Sequence, residues 1–110
     1  MNKELLKGNS ELLILSLLAG EPMHGYALSK KLVSTMPDMF RFGVGMLYPL
    51  LHKLEHEGLI TSRWREIDNK NRRVYEVTKR GRRGLIARKK DWFTFQKTIN
   101  TLVQNATHEQ

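Results

Sequence analysis

Gly45-Met46-Leu47-Tyr48-Pro49-Leu50-Leu51-His52-Lys53-Leu54-Glu55-His56-Glu57-Gly58 splits into two faces when wound at 3.6 residues per turn. Leu47, Leu50, Leu51 and Leu54 fall on one stripe, and Gly45, Met46, Pro49, His52, Lys53 and His56 lie opposite. Proline is tolerated in a first helical turn, where backbone N–H groups lack partners anyway, so Pro49 predicts a helix start close to Gly45. Gly58 suits the left-handed position that ends a helix. Two strand-like runs follow directly, Leu59 to Ile67 and Arg72 to Val77. Between them Asp68-Asn69-Lys70-Asn71 favours a tight turn, because Asx residues tolerate positive φ. An amphipathic helix thus leads straight into a hairpin with a basic tip.

The flanks supply more helices. Leu12, Leu13, Leu15, Leu17 and Leu18 crowd a stretch opened by Asn9-Ser10, both good N-cap types, and closed by Gly20-Glu21-Pro22. A second helix is expected from about His24-Gly25, carrying Tyr26, Ala27, Leu32, Val33 and Met36 before Pro37 stops it. Gly25 there permits close helix packing. Pro37 to Gly45 reads as a connector, and its aromatics Phe40 and Phe42 are assigned to the core ahead of an interface or a ligand contact. Thr78 is a plausible N-cap for a last helix of about 30 residues, or ~45 Å, reaching Thr107. The expected fold class is mainly α with a small β-hairpin: a winged helix-turn-helix over residues 1–77, then a long C-terminal dimerisation helix and tail over 78–110.

Charge narrows the function. Between Arg63 and Lys90 stand twelve basic residues against three acidic ones, an excess of +9, while the rest of the chain carries seven basic and eight acidic residues, a balance of −1. A positive face this localised implies a polyanionic partner, with nucleic acid ahead of an anionic membrane surface. In a winged helix-turn-helix the third helix enters the major groove and the wing reaches phosphates or the neighbouring minor groove. Met46, Tyr48, Pro49, His52, Lys53, Lys70, Asn71, Arg72 and Arg73 are therefore the expected contacts to double-stranded DNA. Lys79, Arg80, Arg82 and Arg83 sit where the positive end of the macrodipole disfavours cations, so helix stability does not explain them and a nearby phosphate backbone does. The alternative is pairing with Glu66, Asp68 or Glu76, which accounts for at most three.

The last helix carries a 3,4-spaced apolar seam, Trp92, Phe95, Ile99, Leu102 and Ala106, with Leu85 one heptad earlier. A helix outrunning so small a domain cannot cover such a stripe alone. The expected partner is a second copy, with Leu85, Trp92, Phe95, Ile99 and Leu102 at a homodimer interface; packing back on the first helix is the alternative. Trp92 and Phe93 are candidates for lining a cavity that takes a small aromatic effector.

Other chemistry is disfavoured. The 110-residue chain contains no cysteine, which removes disulfides, thiolate metal sites and cysteine catalysis. His52-Lys53-Leu54-Glu55-His56 matches H-x-x-E-H, yet catalytic zinc needs a third ligand and an open water site, so His52 and His56 are assigned to DNA or solvent and no metal is expected. There is no Gly-rich phosphate loop, serine nucleophile elbow or paired-carboxylate site, and hence no expected cofactor or enzymatic activity. Leu12 to Leu18 is too short for a membrane span, and charged Met1 to Lys7 lacks a signal-peptide core, so a cytoplasmic location is expected. Asn105-Ala106-Thr107 forms a sequon without consequence there.

The sequence resembles the PadR transcriptional regulators. Leu6-Lys7-Gly8, Leu12-Leu13-Ile14-Leu15, Pro22-Met23-His24-Gly25-Tyr26 and Leu28 are similar to that family's opening signature. Gly45 to Leu51, Leu54-Glu55, Gly58-Leu59-Ile60, Ser62 and Trp64 resemble its recognition-helix block, and Arg72-Arg73, Tyr75, Val77-Thr78, Gly81 and Trp92 continue the pattern. The resemblance implies a dimeric winged-helix repressor that binds inverted-repeat promoter sites and is released by a small molecule or another signal. It also implies DNA contacts from Tyr48 and its neighbours, a wing formed by Lys70 to Arg73, and Trp92 near the dimer interface, where it packs or helps bind flat hydrophobic ligands. Met46 stands where the family usually has Thr or Ser, Asn69-Lys70-Asn71 replaces a glycine-rich wing tip, and Val74 replaces the first of an aromatic pair. The alternative reading is an aromatic-ligand-sensing or protein-interaction module whose DNA binding is only nonspecific.

Overall fold

The computed structural model describes residues 8–35 and 43–108. α1 (Ser10–Gly20) is apolar on almost every side, and a helix of that kind belongs in the middle of a fold. Ile14, Leu15 and Leu18 are buried, with Leu12, Leu13, Leu17 and Ala19 half-buried against the same core. Asn9 occupies the N-cap position, where its carbonyl accepts the Leu13 N–H at 3.1 Å, but its side chain makes no capping bond.

β1 (Met23–His24) follows, a strand of two residues where a helix start was expected. It pairs antiparallel with the hairpin through Met23 and Tyr75 and through His24 and Val74. α2 (Gly25–Thr35) begins immediately, and His24 Nδ1 accepts the Ala27 N–H at 3.1 Å, satisfying one of the donors exposed at the new helix end. Gly25, Leu28 and Leu32 are its buried positions. Met36, Pro37, Phe40 and Phe42, on which the expected stop and connector rest, lie outside the described residues.

α3 (Gly43–His56) begins earlier than expected, which places Pro49 in its second turn. Pro49 cannot donate to the Gly45 carbonyl, but both residues are exposed and water can take that bond. The buried stripe is Leu47, Leu51 and Leu54, with Leu50 half-buried. The helix ends in a complete Schellman motif: Gly58 has φ 77°, its N–H reaches the Glu55 carbonyl at 3.0 Å, and the Leu59 N–H reaches the Leu54 carbonyl at 2.9 Å.

β2 (Ile60–Ile67) and β3 (Lys70–Val77) form the hairpin. Its loop is only Asp68-Asn69, with φ 53° and 63°, the paired left-handed geometry of a type I′ turn that matches strand twist. Lys70 and Asn71, expected in the turn, instead open β3 opposite Ile67 and Glu66. The antiparallel sheet has the order β1-β3-β2.

α4 (Lys79–His108) runs for 30 residues, with Thr78 as its N-cap. Thr78 Oγ1 accepts the Gly81 N–H at 3.0 Å and lies 2.7 Å from the Gly58 carbonyl, to which it donates. A Cβ on Gly81 would stand 1.9 Å from the Leu59 carbonyl oxygen, so no side chain fits there. The core joins α1, α2, α3, the hairpin and the first turns of α4, and it includes Leu85. From Phe93 to Ala106 every residue of α4 is exposed.

Candidate nucleic-acid interface

Burying the leucine stripe of α3 turns its other face outward. Tyr48, Pro49, His52, Lys53 and His56 are exposed on it. Lys53 Nζ also lies 3.6 Å from Glu11, leaning toward α1 while remaining largely solvated. Tyr48 is fixed by its neighbour: a Cβ on Gly25 would stand 2.7 Å from the Tyr48 hydroxyl, so the ring covers the start of α2. Met46 departs from the expected DNA-facing set. It is half-buried and lines a small cavity of about 30 Å³ with Ile14, Leu32, Val33, Leu47 and Leu50, because the junction with α1 and α2 extends to its side of the helix.

The wing lies alongside. Arg63, Trp64, Arg65, Lys70 and Asn71 are exposed on it, and Arg72 and Arg73 are half-buried. The two adjacent arginines have different surroundings. Arg73 Nε donates to Ser62 Oγ at 2.7 Å, its terminal nitrogen pairs with Glu55 at 3.2 Å, and Ser62 donates to the same carboxylate. Arg73 thus fastens the wing to α3 with its charge matched by Glu55, so a phosphate contact from it has to compete with that pairing. Arg72 has no such acid among the described residues: its Nε is shielded from solvent without an acceptor, and its Cζ stands 5.8 Å from the centre of the Tyr26 ring.

Between α3, the start of α2 and the wing opens a groove of about 370 Å³ lined by His24, Gly25, Tyr26, Tyr48, His52, Trp64, Asn71, Arg72, Arg73 and Tyr75. Desolvation, reinforced by the Arg72 charge, holds the His24 imidazole below its ordinary pKa, and Asp68 opposes them. That keeps Nδ1 available to cap α2. Burial pushes the Tyr75 phenol upward, against the nearby Arg73. Tyr26 and Trp64 are the groove residues missed as contacts by periodicity. Tyr26, on the second helix, is 56% exposed.

Lys79, Arg80, Arg82 and Arg83 are exposed at the start of α4, and among the described residues none forms an ion pair with Glu66, Asp68 or Glu76. Further along α4 the expected seam divides. Leu85 is 5% exposed in the protomer's own core, which corrects its assignment to a dimer interface. Trp92 is half-buried, edge-on to Phe93 at 5.0 Å, and lines an open cleft of about 420 Å³ with Glu11, Leu12, Arg88, Asp91 and Phe95. Phe95, Ile99 and Leu102 are exposed, as are Phe93 and Val103. Val103, four residues after Ile99, extends the same seam and was legible from its spacing. Among the described residues no three potential metal ligands gather, and no helix is long and apolar enough to cross a membrane.

A helix-turn-helix made of α2 and α3, followed by a cationic hairpin, defines the winged helix-turn-helix class of DNA-binding proteins. The chain belongs to the transcriptional regulator PadR-like family, which residues 14–87 match. It is 37% identical over 83 residues to the transcriptional regulator Rv3488 of Mycobacterium tuberculosis, covering 76% of this chain and 75% of that protein. The structure of a PadR-like transcriptional regulator from Bacillus cereus superposes with a TM-score of 0.83 at 33% identity, over 93% of this chain and 98% of that one. A PadR family regulator from Eggerthella lenta superposes with a TM-score of 0.76 at 33% identity, over 91% and 86% of the two chains. The protein is thus a transcriptional regulator, not an enzyme.

Proposed function

We propose that the protein is a homodimeric repressor that binds a pseudo-palindromic promoter site in double-stranded DNA and is released by a small aromatic molecule or another signal. The observation that carries the reading is the exposed face of α3, with Tyr48, Pro49, His52 and Lys53, set beside a wing whose Arg63, Arg65, Lys70 and Arg72 form no ion pair among the described residues. Phosphate contacts of this kind position a protein on the duplex, and side chains of the inserted helix read base edges.

The homodimer is supported by α4. Phe95, Ile99, Leu102 and Val103 form an apolar stripe on a helix that has left its own core, and such stripes call for a partner surface. Residues 1–77 then serve DNA binding and 78–110 serve dimerisation, with the first turns of α4 shared through Leu85. Two-fold symmetry sets the recognition helices about 34 Å apart, one turn of DNA. The cleft beside Trp92, with Phe93 and Phe95 close to it, is the proposed effector site, and the setting is the cytoplasm.

Selection from a random duplex pool at physiological salt tests the reading. Enrichment of an inverted repeat with one-turn spacing is expected; binding without enrichment would overturn sequence-specific repression in favour of nonspecific association. The effector site is tested by Trp fluorescence with candidate aromatic compounds in a Trp64→Phe background. A response that survives Trp92→Ala would remove Trp92 from that site.

A further inference from the structure

The groove between α2, α3 and the wing contains a cation whose surroundings are incomplete. β1 stops at His24, opposite Val74, so the outer edge of β3 is uncovered at Arg72 and Asn71. Arg72 is half-buried there, and its Nε is shielded from water with no acceptor. Arg73, one residue away, has both a hydroxyl and a carboxylate. Among the described residues no acidic side chain lines the groove. With its Nε shielded, Arg72 meets an anionic oxygen entering the groove through its terminal guanidinium nitrogens, which are not among the shielded atoms and can donate charge-assisted bonds.

The position of this cation is set from outside the wing. The Tyr26 ring lies 5.8 Å from Arg72 Cζ and 5.1 Å from Lys30 Nζ, so two cations from different elements meet one aromatic ring. His24 lies parallel to that ring, 6.4 Å between centroids, and is itself held by the Ala27 N–H and by pairing with β3. Tyr26 therefore stays in place although it is largely exposed.

We propose that this groove seats one backbone phosphodiester of double-stranded DNA, with Arg72 as its cation and Tyr26 as the residue that positions Arg72. The inference rests on the DNA-binding reading above. It narrows the wing's phosphate contact at this point to one arginine and extends the interface to α2. A duplex that takes α3 into its major groove carries its backbone along the rim of that groove, where Tyr48 and His52 meet the wing.

The test uses the full chain and a fluorescent random-sequence duplex of about 30 base pairs, with affinity measured by anisotropy between about 50 and 300 mM KCl. Arg72→Gln is expected to weaken binding about tenfold at the low-salt end and to flatten the log–log salt slope by about one unit, the signature of one lost phosphate contact. Tyr26→Ala is expected to lose part of the same affinity and slope, and to add nothing once Arg72 is replaced. Tyr26→Phe, which keeps the ring, retains wild-type affinity and slope. A merely structural role for Tyr26 would add in full to Arg72→Gln and leave the slope alone. That result, or an unchanged slope in Arg72→Gln, overturns the seat while leaving DNA binding intact. Failure of the wild-type protein to bind the duplex overturns the DNA-binding reading and the seat with it.

Discussion

The two ends of α4 use the same residue types in opposite circumstances. At the near end Leu85 is 5% exposed among residues of α1, α3 and the hairpin, whereas at the far end Leu102 is 60% exposed. Both belong to one 3,4-spaced seam in the sequence. What separates them is the reach of the rest of the fold: α1 packs against α4 near its start, and among the described residues nothing covers its far half. A hydrophobic repeat therefore specifies a buried face without specifying which chain buries it.

The largest effects are expected in the core that holds the near end of α4. Leu51→Ala empties a fully buried site beneath α3 and should cost about 2–5 kcal/mol in chemical denaturation, because surrounding side chains relax only partly into the cavity. Gly81→Ala should cost about 1–3 kcal/mol by overpacking, since the added methyl meets the Leu59 carbonyl oxygen. Ile99→Glu is expected to leave the protomer's own fold within about 0.5 kcal/mol. It should convert the proposed dimer to monomer in sedimentation equilibrium and abolish the concentration dependence of Tm. A cooperative loss of folding in that variant would mean that the far end belongs to the protomer's own core.

The smallest expected effect concerns His24. Its pKa is lowered in the folded protein relative to an ordinary value of 6.5, so the unfolded chain binds more protons as the solution is acidified. Its contribution is therefore fully present above pH 6.5 and is lost as pH falls through the folded value. Denaturation midpoints of the wild type should decline across that window more than those of His24→Asn, which retains a cap acceptor and does not titrate. Parallel declines would detach His24 from the cap.

Local rules made much of this molecule legible. Asp68-Asn69 could turn with both φ angles positive, Gly58 could end a helix, and Thr78 could start one, because each depends on neighbours within a few residues. β1 was not legible: two residues have no periodicity, and Met23-His24 becomes a strand only because the edge of β3 lies beside it. The first turn of α3 was misplaced because Pro49 is also tolerated one turn further in when its side of the helix faces water. Met46 and Arg73 have surroundings that the sequence did not reveal, for a shared reason. Helical spacing and charge mark a side chain as polar-facing or cationic, but only the tertiary arrangement brought Ile14 to one and Glu55 to the other.

The junction at Thr78 ties three elements at one point. Its hydroxyl reaches the carbonyls of Gly58 and Leu59 and receives the Gly81 N–H, while its backbone N–H also meets Leu59. This makes α4 a lever with its fulcrum at the tail of α3. Ile99 lies about 30 Å along that lever at ~1.5 Å per residue, so a swing of about 5° at the fulcrum displaces it by about 3 Å. That is close to the roughly 3.4 Å rise of one base pair. In the proposed dimer, a small rotation at this junction would therefore alter the spacing between the two recognition helices.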